Sequence, residues 1–360
     1  MKVKLNQLVP GCIVLKPIMA ETTTPLYKEK TVLTAEDIQT LSKFLIDEIE
    51  VEKVLANGEK FIPSDNGLGA EAAALMETGD RFKDRYMQAV ANYKQVFQEW
   101  AAGTPVEMKR VRHILLPLFE EIVEKKEVLL QLHHYSTKED YLYHHAVSVG
   151  LLSAFLGAKL GYEKGEWLKI ALAGALADCG MAKLPTSLLT KNGLYTLKEK
   201  HEMRDHPKYS YQMLKKRPGI DGSLLSAVLQ HHEREDGTGY PLGVRGQKIH
   251  FYAQILAVAD VYHAMISERK YRKKKSPYMV LEDLAKERFG KFNPHIVHVL
   301  VSQLTQLSVR TSVRLTNNRL GEIVFIDPMA PTRPMVQLQT GEMIYLMKNY
   351  TVHIEDVLLS

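Results

Sequence analysis

The run WLKIALAGALADCGMAK sets an aspartate at the end of the apolar stretch IALAGALA at 170–177. On a helix, Trp167, Ala171, Gly174 and Asp178 fall on one face. Such a face packs into a core and takes the carboxylate with it. A buried, unpaired charge costs several kcal/mol, roughly, so the group needs a cation or a proton. FYAQILAVADVYHAM repeats the pattern with Ala253, Ala257, Asp260 and Ala264. A third stripe carries His145 with Val149, Leu152 and Leu156. These features point to packed helices with polar groups turned inward.

The stretch QHHEREDGTGYP at 230–241 adds His231 and His232 ahead of a glycine-rich turn. Adjacent histidines decide nothing alone, because His133–His134 and His144–His145 are also adjacent. A lone histidine on an apolar face is commonly a satisfied core residue, and a lone aspartate is as often a helix cap as a functional group. Together, two inward carboxylates, His145 and the 231–232 pair suit a divalent cation better than any side-chain cation nearby. Mixed His/Asp ligation favours Fe or Mn, or Zn, over Mg or Ca. A carboxylate shared by two ions makes a two-metal clamp for phosphoester hydrolysis.

The 360 residues accommodate one large domain or two to three smaller ones. Residues 1–60 read as a small α+β unit, with Thr34 and Asp37 as cap and partner of a helix start and IEVEKVL as a strand. A linker is expected over 61–80, helices over 81–308, and a β-rich unit over 309–360, where SVRLT, EIVFI, PMVQL and EMIYL alternate with turns. Phe82, Tyr86, Val90, Tyr93 and Phe97 share a helical face, which serves either as internal core or as the seam of a homodimer. Helix starts are expected at Thr104 and Ser136, and a kink or break at Pro117. The net charge of +5 permits an anionic small ligand and falls short of a nucleic-acid-coating protein. Two separated cysteines, Cys12 and Cys179, fit a reducing cytoplasm. No apolar run approaches the roughly 20 residues of a membrane span, so no membrane insertion is expected.

HHEREDGTGYPLGVRGQKI followed by AVADVYHAMISERKYR resembles the HD-GYP domains, from about 135 to 300. These are helical, metal-dependent phosphodiesterases that linearise cyclic di-GMP. The resemblance implies a mainly α fold, a helical HD-type phosphohydrolase domain flanked by the two small units. It implies metal ligation by His145, Asp178, His206, His231, His232 and Asp260, with Asp178 bridging two ions as the catalytic carboxylate. It implies that Gly237, Gly239, Tyr240 and Pro241 shape the ligand pocket. Arg269, Tyr271 and Arg272 match a stretch suited to phosphate pairing and base stacking. In ERKYRKKK, Lys273, Lys274 and Lys275 are expected in solvent.

Two positions depart from the pattern. The His-Asp doublet reads Ala177-Asp178, and Met181 replaces the family's lysine. Tyr141 stands where members with a third metal have a carboxylate, so no three-metal site is expected. Cys179 lies about 100° around a helix from Asp178 and is not expected to replace the missing ligand. Two functions follow: a bacterial second-messenger protein that binds one or two divalent ions and cyclic di-GMP, or a related cyclic dinucleotide, with weak or absent turnover; alternatively, a fully active phosphodiesterase. A signalling protein is a further expected partner.

Overall fold

The computed structural model describes the chain except residues 5–6, 20–24, 35–36, 39–40, 42–47, 57, 59, 64–67, 192, 269–273, 288–289 and 359–360, and except the side chains of 68–81 and 287. The chain divides into two compact units, Met1–Arg85 and Tyr86–Ser360. In the first, β1 (Lys2–Lys4) pairs antiparallel with β4 (Glu48–Glu50), and β2 (Ile18–Met19) with β3 (Pro25–Tyr27). Leu8, Val14, Leu33, Leu41 and Val51 form its core. Thr34 and Asp37 exchange the two hydrogen bonds of a capping box, as their spacing predicts.

Helix α1 (Leu68–Ala101) begins within the stretch read as a linker. Its first turns, AEAAALM, are strong helix formers. The expected start at Thr104 does not occur. The Thr104 amide instead donates to Glu99 O and closes α1, and α2 (Met108–Ile122) starts from Glu107. Pro117 does not break α2. It and His113, whose carbonyl it deprives of a donor, lie on the exposed face, while Val111, Leu115, Leu118 and Phe119 hold the buried face together.

The bundle continues with α3 (Glu127–Tyr135), α4 (Tyr141–Lys159) and α5 (Lys164–Leu176). Helix α4 starts at Asp140 rather than Ser136, because the Asp140 carbonyl accepts the first helical amides and Lys94 holds its carboxylate at 2.7 Å. From His144 to Gly157 every residue of α4 is buried, so it is the central helix rather than a one-faced one. It packs against α2, α3 and α5, and against α10 (Phe251–Ile266) and α12 (Pro294–Leu304). Between them lie α6 (Thr186–Leu189), α7 (Leu197–Met203), α8 (His206–Leu214), α9 (Gly222–Gln230) and α11 (Pro277–Glu287).

The C-terminal stretch is a five-stranded antiparallel sheet in the order β8-β7-β6-β5-β9. Its strands are β5 (Ser312–Leu315), β6 (Leu320–Phe325), β7 (Met335–Leu338), β8 (Met343–Tyr345) and β9 (Ile354–Leu358). The first four match the expected runs, and β9 was not anticipated. Ser276 Oγ donates to Ile354 O at 2.7 Å, and the buried Arg333 pairs with Glu282 at 2.7 Å, fixing the sheet to the bundle. The fold is mainly helical, with small N-terminal strand pairs and this sheet. No helix among the described residues is long and apolar enough to cross a membrane.

Candidate metal centre

The apolar stretch at 170–177 ends α5 at Leu176, and Asp178 opens the short 3-10 turn Cys179–Lys183. That turn is pinned from α8. Ser210 Oγ donates to Ala177 O and accepts from Gly180 N, both at 2.7 Å. A side chain at Gly180 would meet His206 O and Ser210 N at 2.3 Å, so glycine lets the turn sit directly on α8. Asp178 and His206 are thereby held against each other.

His206 stands at the start of α8 and His231 just past the end of α9. Nδ1 of His206 donates to Met203 O, and Nδ1 of His231 to Val228 O, each at 2.7 Å. Each neutral ring then carries its lone pair on Nε2. These two atoms face each other across 3.4 Å. They face Oδ1 of Asp178 across 3.0 and 3.5 Å, and that oxygen has no hydrogen bond. Three acceptors converge on one point, which a proton or a cation must relieve. Burial opposes ionisation of Asp178, yet the imidazoles of His206 and His231 outweigh it and hold the carboxyl well below its usual range. Burial likewise disfavours a charged His206, but Asp178 raises that ring above its ordinary value.

His232 is held neutral by burial and by the neighbouring His231. Its ligand atoms lie with those of Asp178, His206 and His231 within 4.8 Å, and its Nδ1 is 3.7 Å from Asp260 Oδ2. His232 therefore stands between two halves of the site. The other half is built from α4 and α10. His145 Nε2 is 2.9 Å from Asp260 Oδ1 and 3.7 Å from Asp178 Oδ2. Burial opposes ionisation of Asp260, but the hydrogen bond with His145 and the field of His232 prevail, and its carboxyl stays below its usual range. All six expected ligands thus meet in one place. Ala177 lines a small cavity beside His145, Asp178, His231 and Asp260.

Two residues went unnoticed in the sequence. His263, fully buried, places Nδ1 at 2.9 Å from Nδ1 of His145. When the shared proton sits on His145 Nδ1, its Nε2 lone pair is directed at the two aspartates. The signal was available, since His263 follows Asp260 by one helical turn. Glu233 is also buried. Its carboxylate accepts the amides of Leu242 at 2.6 Å, Gly243 at 3.2 Å and Val244 at 3.1 Å, clasping the loop after Pro241.

The turn residues serve that loop. Gly237 takes φ +77°, and a side chain at Gly239 would meet Glu233 Cα at 2.4 Å. The close approach is to the chain's own backbone. The Tyr240 ring lies 4.7 Å from that of His232, with the Arg204 guanidinium 5.2 Å from the tyrosine ring. Tyr240 and Pro241 are joined by a cis peptide bond. Arg269, Tyr271 and Arg272 lie outside the described residues, as does Lys273. Lys274 is exposed, and Lys275 pairs with Asp283 at 2.6 Å at the surface.

Lys183, Cys179 and Tyr141 are placed as follows. Lys183 donates to Trp100 O at 3.0 Å. Burial pushes the Cys179 thiol up to about 12, so it stays protonated. Tyr141 stacks on His145 with ring centres 5.2 Å apart and places its hydroxyl 3.2 Å from Nδ1.

Comparison with known proteins identifies the family. A family described as "HD domain" matches residues 119–296. A cyclic di-GMP phosphodiesterase of Pseudomonas aeruginosa is 30% identical over 237 residues, covering 66% of this chain and 57% of the relative. A cyclic di-GMP phosphodiesterase response regulator of Xanthomonas campestris pv. campestris is 35% identical over 159 residues, covering 43% of this chain and 42% of the relative. The chain thus spans about half the length of these relatives. The solved structure of an HDG"Y"P protein from Bdellovibrio bacteriovorus shares the fold, with a TM-score of 0.50 at 16% identity over 84% of this chain and 99% of that one. The chain carries an HD domain of the HD-GYP family, whose members are metal-dependent.

Proposed function

We propose that this chain is a second-messenger signalling protein whose HD-GYP domain binds a divalent transition metal and cyclic di-GMP, or a related cyclic dinucleotide, with weak or absent hydrolysis. The observation that carries this reading is Ala177 on the wall of the site, beside His145, Asp178, His231 and Asp260. One half of the centre keeps two histidines and a carboxylate converging on one point. The other has His145 and two aspartates, with a methyl group in place of an imidazole.

A divalent cation in such a site supplies charge stabilisation at phosphorus and activates water. The chain's own residues do the rest. Asp178 presents one oxygen to each half, His232 reaches both, and Tyr240 covers the His232 ring. Imidazole and carboxylate donors suit Fe or Mn, with Zn as a third choice. Losing one ligand is expected to lower metal affinity or activity at least as much as losing an outer partner, about 10–100-fold.

The competing reading is a fully active phosphodiesterase. It is favoured by His145 keeping close contact with both aspartates, at 2.9 and 3.7 Å. Anaerobic turnover of cyclic di-GMP with Fe(II) or Mn(II), beside His231→Ala and with parallel ligand-binding measurements, separates the two. Binding with slow or no turnover is the expected outcome. Rapid turnover that vanishes in His231→Ala would make the chain an enzyme. Absence of both binding and turnover would remove the cyclic-dinucleotide assignment.

A further inference from the structure

His133 and His134 end α3 away from the centre just described. Their Nε2 atoms lie 3.4 and 2.7 Å from one oxygen, Oδ1 of Asp356. The ligand atoms of these three residues fall within 4.8 Å of one another. Asp356 belongs to β9, so the cluster joins the bundle to the last strand of the sheet. The two rings are 3.9 Å apart and tilted by 39°, against 4.0 Å and 43° for His231 and His232. Among the described residues, adjacent histidines at a helix end thus face carboxylates twice, here a single one, Asp356.

The local chemistry suits a cation. The His133 side chain is 3% exposed and that of Asp356 9%, whereas His134 is 41% exposed and leaves one side open. Burial, with the neighbouring charges of His134 and Lys274, pushes the His133 ring down to about 4, so it is neutral at physiological pH. Arg314 on β5 pairs with Oδ2 of Asp356, while Oδ1 faces the two rings. Two imidazoles and one carboxylate are donors for zinc-like ions rather than for Mg or Ca.

We propose that His133, His134 and Asp356 form a second cation site, for a divalent transition metal such as zinc, that clips β9 to α3. The positive charges of Arg314 and Lys274 nearby make it the weaker of the chain's metal sites. Removing the first of these charges therefore strengthens it.

The test is calorimetric titration of the metal-free full chain with Zn(II), with Co(II) absorption as a second readout. His231→Ala protein serves as background, so failure of the HD-GYP reading and failure of this one remain distinguishable. In that background one more equivalent is expected than in the double variant with His134→Ala, whatever ion His145, Asp178 and Asp260 retain. It should be lost in His134→Ala, a tolerant half-exposed position, and bind severalfold tighter in Arg314→Gln. Zinc should raise the Tm of His231→Ala protein more than that of the double variant with His134→Ala. Absence of the weaker equivalent, or its persistence without His134, overturns the proposal. Weaker binding in Arg314→Gln does so too, because the cluster is then an ion-pair network that needs its arginine.

Discussion

The two halves of the candidate metal centre share Asp178 but are built differently. On the side of His206 and His231, each ring is locked by a backbone carbonyl three residues earlier in the chain, and the lone pairs converge without any choice of tautomer. On the side of His145, the ring nitrogens face other side chains: Asp260, His263 and Tyr141. The first half is set by helix ends and the second by side chains from three turns of two helices. A ligand lost from the second half therefore removes both a donor and part of what orients the others. Backbone-locked ligation is insensitive to its neighbours, whereas side-chain ligation depends on them.

Changes aimed at each half should break or sharpen this contrast. The largest effect is expected for His231→Ala, which opens the locked half. Its metal content should fall by about one ion and nucleotide binding should drop roughly 100-fold or more, as read by elemental analysis and calorimetry. Ala177→His should move the other way, raising occupancy of the second ion and turnover by about 10–100-fold. If it alters neither, position 177 does not feed the centre. His263→Leu should weaken only the side-chain-built half, by about tenfold in affinity, and leave the first ion in place. Equal loss from both halves would mean His263 is merely structural.

The pH dependence should run in opposite directions with and without metal. His206 has its pKa raised by Asp178, so in the metal-free protein its contribution to stability is present at low pH. That contribution is lost as pH rises through the raised value. A metal ion competes for the same lone pair, so metal affinity should strengthen as pH rises over that range. Thermal unfolding at several pH values, with and without Mn(II), reads this crossing. The smallest expected effect is Glu233→Gln, which weakens a carboxylate accepting three amides and should lower stability by about 1–3 kcal/mol. Metal stoichiometry should be unchanged.

Much of this was legible in the sequence where a polar residue interrupts an apolar period. Asp178, Asp260 and His145 stand out in that way, and the turn after His232 fixes the family. What stayed hidden involves residues whose apolar setting gives no contrast or whose partners are distant. His263 follows Asp260 inside one buried helix and reads as another core residue. Glu233 sits in a charged run that looks solvated, yet its carboxylate is folded under the next loop. His144 shows the reverse. It is adjacent to His145 but hydrogen-bonds with the Tyr86 hydroxyl at 3.1 Å in the core, and burial pushes its ring down to about 4. The displaced helix starts at Glu107 and Asp140 have local causes. The Thr104 amide closes the preceding helix on Glu99 O, and the carbonyl of Asp140 rather than that of Ser136 accepts the first amides of α4.

Ser210 fastens the carbonyl of Ala177 and the amide of Gly180 from α8. The path of the main chain through the doublet is therefore set by a serine thirty-three positions away, and no side chain at 177 is needed to maintain it. The backbone there is held in place whichever side chain position 177 carries. On the proposed reading, position 177 is thus a place where a lineage can change what the centre does while the backbone that carries it stays the same.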